Sequence, residues 1–195
     1  MKVIGLTGPS GAGKTTVLNL LRDRGATVLD CDLLWYEMVD RDPQIRKALE
    51  NAFGPVFLPD GNLDRRTLGG IVFGNEGKLR ELNAIVFYHM GVEVRRRLGA
   101  AASSGLGTFA IDAVNLPESG LGELCDITVA VLAPEERRIC RIMERDGIDR
   151  EMAVRRVRAQ KPDDYYRSHA GAVLENNGSR EELLRQAETL LEKYL

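Results

Sequence analysis

The sequence predicts an α/β fold, a parallel sheet with helices on both faces, and three observations predict it. The chain opens on an apolar run, a glycine-rich loop, a helical stripe and a second apolar run. That order of strand, loop, helix and strand is a βαβ unit, which makes a parallel sheet. Further short apolar runs stand among helical stretches later in the chain. Finally, 195 residues fit one domain, or a core with a small appendage, and are enough to bury a hydrophobic core.

The elements follow in chain order. "KVIGL" is short, apolar and bounded by glycine, and reads as a buried strand. In "GKTTVLNLLRDRG", Val17, Leu18, Leu20 and Leu21 form a helical stripe, with Gly25 as its stop. "ATVLDCD" is a second strand ending in acidic residues. From about Leu33 to Ala102, four segments carry apolar residues at three- and four-residue spacing: "LLWYEMVD", "PQIRKALENAF", "DRRTLGGIVF" and "EGKLRELNAIVFYHMGVEVRRRLG". A helical insertion of that length exceeds what a crossover needs. It either forms a substrate-holding subdomain or enlarges the core. "GTFAIDAV" and "DITVAVLA" are two more strands, and "GAVLENNGS" is a last strand leading into a turn. "PEERRICRIMERDG" starts with proline in its first turn and ends at glycine, so it is a well-punctuated helix; "DREMAVRRVRAQ" is another. The closing helix, "SREELLRQAETLLEKYL", has Ser179 and Glu182 at capping-box spacing.

The chemistry begins in the first loop. Gly8-Pro9-Ser10-Gly11-Ala12-Gly13-Lys14-Thr15 fits GxxxxGK[ST], the P-loop pattern, and lies between a strand and a helix as its mechanism requires. Glycines let the backbone curl with N–H groups inward, making a nest for phosphate oxygens. The helix N-terminus adds a partial positive charge. Gly11, Ala12, Gly13, Lys14, Thr15 and Thr16 are therefore the candidate ATP-binding residues. Lys14 is placed to reach the β- and γ-phosphates, and the Thr15 hydroxyl to ligate Mg²⁺. There is no NKxD base-reading motif of the common GTPases, and the chain is too short for a large motor. A small-molecule kinase fits best.

Ligands of an open parallel sheet bind beyond the carboxyl ends of its strands. "VLDCDLLW" puts Asp30 and Asp32 there, two apart and so on one side of a strand. Asp32 is a candidate general base for an attacking hydroxyl, or a helix N-cap, or both. Asp112, ending "GTFAID", is a candidate for holding Mg²⁺ through water. Arg137, Arg138, Arg141, Arg145, Arg155, Arg156 and Arg158 crowd two neighbouring helices, and Arg141 and Arg145 share one helix face. They form either a lid that neutralises charge during transfer or a solvated basic surface.

Composition narrows the partners. The net charge of −2 gives no basic field for nucleic acid. No apolar run approaches the roughly 20 residues that span a bilayer, so no membrane partner is expected. "MKVIGLTG" lacks a signal-peptide core. Cys31, Cys125 and Cys140 are odd in number and widely spaced, and read as reduced thiols of a cytoplasmic protein. The chain is expected to act as a monomer.

With these residues in place, the chain resembles the dephospho-coenzyme A kinase family nearly end to end. "IGLTGPSGAGKTT" is similar to the family's opening, and "GATVLDCDLL" to its second strand, where the aspartate matching Asp32 is the base. "FGPVFLPDGNLDRRTLGGIVFGNEGKLRELNAIV" resembles its helical substrate region, making Arg65 and Asn83, with Asp32, candidate acceptor-binding residues. "RICRIMERDGIDREMAVRRVRAQ" resembles its lid, with Arg141, Arg145, Arg156 and Gln160 on the motif. "ENNGS" resembles the turn near the adenine, which makes Asn176 a candidate there.

The resemblance implies transfer of phosphate from ATP to the ribose 3′-hydroxyl of 3′-dephospho-coenzyme A. It implies Asp32, Lys14, Arg141 and Arg145 as catalytic residues and a P-loop NTPase-type sheet. It also implies three parts: a nucleotide core over 1–32, 106–133 and 171–195, a helical acceptor region over 33–105, and a lid over 134–170. That lid is expected to move, because its arginines lack their phosphate partner. Departures fall at Phe87 and Tyr88, where the family shows His-Pro and His89 is displaced by two. Others fall at Val114-Asn115-Leu116 in place of Pro-Leu-Leu, and at Arg167 and Gly171 in place of lysine and aspartate. They leave open a kinase of another small hydroxyl metabolite or nucleotide, and a degenerate ATP-binding regulator.

Overall fold

The computed structural model describes residues 1–194. The chain divides into two compact units: Met1–Leu29 with the chain from Leu98 onward, and Asp30–Arg97.

The first unit is built on a five-stranded sheet. Its strands are β1 (Lys2–Thr7), β2 (Thr27–Asp30), β3 (Thr108–Asp112), β4 (Ile127–Leu132) and β5 (Ala172–Glu175), in the order β2-β3-β1-β4-β5. β1 pairs in parallel with β3 and with β4, and β4 with β5. β1 is therefore central, and all its residues after Lys2 are buried. Its carboxyl end opens where the strand order reverses, the usual place for a ligand crevice. On one face, α1 (Lys14–Asp23) and α9 (Arg180–Tyr194) pack Val17, Leu18, Leu21, Leu183, Ala187 and Leu191 against Ile4, Leu6, Val129 and Val131.

The ends of these elements follow the expected local chemistry. Gly25 takes φ +84° after α1. Ser179 N–H donates to Glu182 Oε2 at 2.9 Å, and Glu182 N–H to Ser179 Oγ at 3.2 Å, so the capping box forms. On the edge strand β5, Glu175 N–H donates to Gln186 Oε1 and Gln186 Nε2 donates to Glu175 O, both at 3.0 Å.

Three helices lie between β4 and β5: α6 (Glu135–Asp146), α7 (Arg150–Arg158) and α8 (Asp163–His169). Ile139, Ile142, Ala153 and Val157 give α6 and α7 a small core of their own. Pro134 stands one position before α6, and Gly147, at φ +63°, closes it. Tyr166 of α8 is buried against Ala130 and Leu132.

The second unit is helical: α2 (Cys31–Arg41), α3 (Pro43–Phe53), α4 (Arg65–Val72) and α5 (Glu76–Ser103), whose last turns pass the unit's limit. Val39, Ile45, Leu49, Phe53, Val56, Leu68 and Val72 form its core. Aspartates start three of the helices, Asp30 for α2, Asp42 for α3 with Pro43 behind it, and Asp64 for α4. One expectation is corrected here. Asp30 and Asp32 do not share a strand, because β2 ends at Asp30 and Asp32 already lies in the first turn of α2. The cap is also Asp30, not Asp32. Its Oδ1 accepts from the N–H groups of Asp32 and Leu33 at 2.9 and 3.0 Å, and that pair of bonds turns strand into helix. Among the described residues no helix is long and apolar enough to cross a membrane.

Candidate active site

The P-loop runs from the end of β1 directly into α1. Gly13, at φ +110°, makes the turn into the helix; a Cβ there meets Asn176 Nδ2 at 2.4 Å. Gly11, at φ +78°, is as tightly placed, since a Cβ would meet the Arg138 carbonyl oxygen at 2.8 Å. Only glycine fits either position. The first turn of α1 holds no acidic residue, so its positive end stays available to an anion. Lys14 Nζ donates to Gly8 O at 2.9 Å, which lays the ammonium across the loop. Thr15 is exposed and Thr16 half-buried on the same turn.

The outer side of the loop is held by side chains from distant parts of the chain. Asn176 is buried, and its Nδ2 donates to Ala12 O at 2.7 Å. Arg141 NH1 donates to Gly11 O at 3.0 Å and to Ala12 O at 3.4 Å. Arg145 NH2 reaches Ser10 Oγ at 3.3 Å while Asp146 holds its Nε at 2.7 Å. The Asp146 carboxyl is pulled below its ordinary range by Arg145 first, with Arg156 also paired to it. Arg138 is only 5 % exposed. Its Nε donates to Ser10 O at 3.3 Å, and its NH1 to Asp163 Oδ1 at 3.4 Å. Its NH2 donates to Gln160 Oε1 at 3.0 Å. That same Gln160 oxygen accepts from Ser10 N–H at 3.1 Å. Burial pushes the guanidinium groups of Arg138 and Arg141 below their ordinary value. Arg138, Arg141 and Arg145 of this region thus rest on the carbonyls and hydroxyl of the loop.

Asp112 ends β3, half-buried, with Leu6 of β1 as its register partner, so it stands beside the root of the loop. The first unit therefore gathers Gly11, Ala12, Gly13, Lys14, Thr15, Thr16, Asp112, Arg141, Arg145 and Asn176. The second unit carries the others on three helices. Asp32 is exposed on α2, Arg65 of α4 lies over the Tyr36 ring at 3.9 Å, and Asn83 is half-buried on α5. The same unit has a cleft of about 450 Å³ lined by Tyr88, His89, Arg41, Arg96 and Arg97 among others. Tyr88, one of the sequence departures, and the displaced His89 thus fall on one concave surface. Among the described residues no group of three or more His, Cys, Asp or Glu is disposed to hold a metal.

Sequence reasoning missed Arg138 as a loop contact. The signal was present: Arg138 is four residues before Ile142, on the apolar stripe of its helix, where a charge needs a partner.

A family model described as dephospho-CoA kinase matches residues 2–182. A dephospho-CoA kinase of Geobacter metallireducens is 39% identical over 191 residues, covering 97% of this chain and 95% of the relative. A crystal structure of a Thermus thermophilus protein superposes with a TM-score of 0.77 at 36% identity, covering 100% of this chain and 98% of the other. Dephospho-CoA kinase from Campylobacter jejuni shares the fold, with a TM-score of 0.61 at 17% identity, covering 99% and 97% of the two chains.

Proposed function

Since the chain belongs to the dephospho-CoA kinase family, whose members catalyse the last step of coenzyme A biosynthesis, we propose that its P-loop holds ATP and that Asp32 activates the ribose 3′-hydroxyl of 3′-dephospho-coenzyme A. The observation that carries the reading is the loop itself, with Lys14 laid across it and α1 free of acid at its start. In the proposed reaction the hydroxyl oxygen attacks the γ-phosphorus as Asp32 takes its proton. The new O–P bond forms, the bond to the bridging oxygen breaks, and ADP leaves. The loop amides and Lys14 hold the β- and γ-phosphates. Arg141 and Arg145 offset charge on the moving phosphoryl group, with residues 134–170 as the lid that brings them. Arg65 and Asn83 hold the acceptor within the helical region. Asn176 lies near the adenine in this reading, and its hydrogen bond to Ala12 O supports the loop.

A magnesium ion fits the donor set. Hydroxyl and carboxylate oxygens are hard ligands, and the ion is commonly held by one or two protein oxygens plus substrate phosphates. Thr15 would bind it directly and Asp112 through water. When bound, it supplies charge neutralisation at the phosphates.

An ADP-release assay across dephospho-coenzyme A, nucleosides and nucleoside monophosphates tests the reading. Release is expected with dephospho-coenzyme A. Release only with another acceptor moves the assignment to a different small-molecule kinase, and release with none of them removes the transfer reaction.

A further inference from the structure

The geometry points to Arg138 and Gln160 as a pair of positioning residues that clamp Ser10 by its N–H and its C=O and so hold the P-loop in its anion-accepting shape before any nucleotide arrives. This rests on the reading of the loop as the ATP site and goes beyond it, because neither residue is among those placed against the substrates above.

The clamp has two jaws. Gln160 Oε1 accepts from Ser10 N–H at 3.1 Å, and Arg138 Nε donates to Ser10 O at 3.3 Å. The jaws are bound to each other, since Arg138 NH2 also donates to Gln160 Oε1 at 3.0 Å. Asp163 Oδ1 accepts from a third guanidinium nitrogen at 3.4 Å. Arg138 is thus a buried cation whose three nitrogens all face acceptors, the condition under which burying a charge is tolerable.

Peptide planarity carries the consequence into the nest. No peptide bond among the described residues is cis, and in a trans peptide the C=O and the following N–H point opposite ways. Holding Ser10 N–H outward on Gln160 turns Pro9 C=O toward the loop, where it accepts from Ala12 N–H at 3.2 Å and closes the turn. Holding Ser10 C=O outward on Arg138 turns Gly11 N–H the other way, to the side where an anion is received. Arg141 and Asn176 continue the pattern on the Gly11 and Ala12 carbonyls. The close approach at Gly11 belongs to the same construction, because the backbone of Arg138 occupies the space a side chain would need. Preorganising the donors in this way avoids ordering them when ligand binds.

The test is the affinity of the intact protein for ADP, measured by titration calorimetry, together with a melting curve for each variant. Gln160→Met is half-exposed, so the fold should tolerate it, and its ADP affinity is expected to fall about tenfold, the worth of a charge-assisted hydrogen bond. Gln160→Glu keeps an acceptor for Ser10 and a partner for Arg138, and should retain wild-type affinity. Arg138→Met should also lose about tenfold, and the double variant should lose scarcely more than either alone, because both act through Ser10 and are bonded to each other. In steady state the KM for ATP rises and that for the acceptor holds. Gln160→Met with wild-type ADP affinity overturns the clamp, as do losses that multiply in the double variant or a fall in melting temperature with no change in ADP binding. A wild-type protein that binds no ADP overturns the reading of the loop itself, a distinct result. Should Arg138→Met fail to fold, the Gln160 pair of variants still decides.

Discussion

Asp30 commits its carboxylate to the N–H groups of Asp32 and Leu33, and in doing so separates two residues that look alike in sequence. One is a cap; the other stands in the first turn of α2, exposed. The two roles respond differently to the same change. Asparagine is as good a cap as aspartate but a far weaker base. Asp32→Asn is therefore expected to cut turnover about 10²- to 10⁴-fold, with ATP affinity nearly intact because the lost group serves the transition state. Asp30→Asn should leave turnover close to wild type. Steady-state rates with a direct ATP-binding measurement check both, and an Asp32→Asn protein with undiminished turnover removes the base assignment.

At the scale of the element, Glu93 ties two helices together. It bonds Arg96 and Arg97 of its own helix α5 at 2.7 and 2.8 Å, and Arg97 goes on to Glu37 of α2 at 2.9 Å. The hydrogen bond from Arg96, and then that from Arg97, draw the Glu93 carboxyl from 4.5 down to about 2. A folded value below the unfolded one stabilises the protein above the unfolded value and loses that contribution as pH falls through the folded one. Glu93→Gln should then cost about 1 kcal/mol at neutral pH. The difference from wild type, read from urea midpoints, should shrink below pH 4.5 and vanish near pH 2. A difference constant with pH would mean that charge plays no part. Elements whose ends carry a chemical mark were legible from sequence: Ser179, which starts the last helix, and Gly25 and Gly147, which stop two others. Helix α8 was not. "DDYYRSH" has no apolar period, and its one buried side chain, Tyr166, is an amphipathic residue whose burial is decided by β4 beneath it. The end of β2 was misplaced because an aspartate stands on either side of Cys31 and only the backbone decides which of them caps α2.

For the whole molecule, the sheet and the loop at its centre were readable because the P-loop ties a fold to a chemistry in eight consecutive residues. The grip on the loop was less readable. Arg138, Gln160 and Asn176 lie more than a hundred residues from the carbonyls and amides they hold, and no local period encodes such a pairing. Residues 134–170 touch the loop through its outer carbonyls, so a nucleotide on the inner side should tighten them as one body. Hydrogen exchange across 134–170 is expected to slow when ADP is added, and not to slow in Lys14→Ala. At a hundredfold excess over its dissociation constant, ADP should stabilise the fold by about 2.7 kcal/mol. Equal exchange with and without ADP would show that the segment and the nucleotide site are uncoupled.

The side chain of Gln186 has a bearing on the company the molecule keeps. A sheet's outermost strand is an open invitation, because its unpaired backbone offers a template to any extended chain that drifts past. At Glu175 that invitation is withdrawn from within: one amide supplies both the donor and the acceptor that a neighbouring polypeptide would bring. The molecule closes its own border there, and resistance to stacking into aggregates becomes a property of a residue remote from any chemistry.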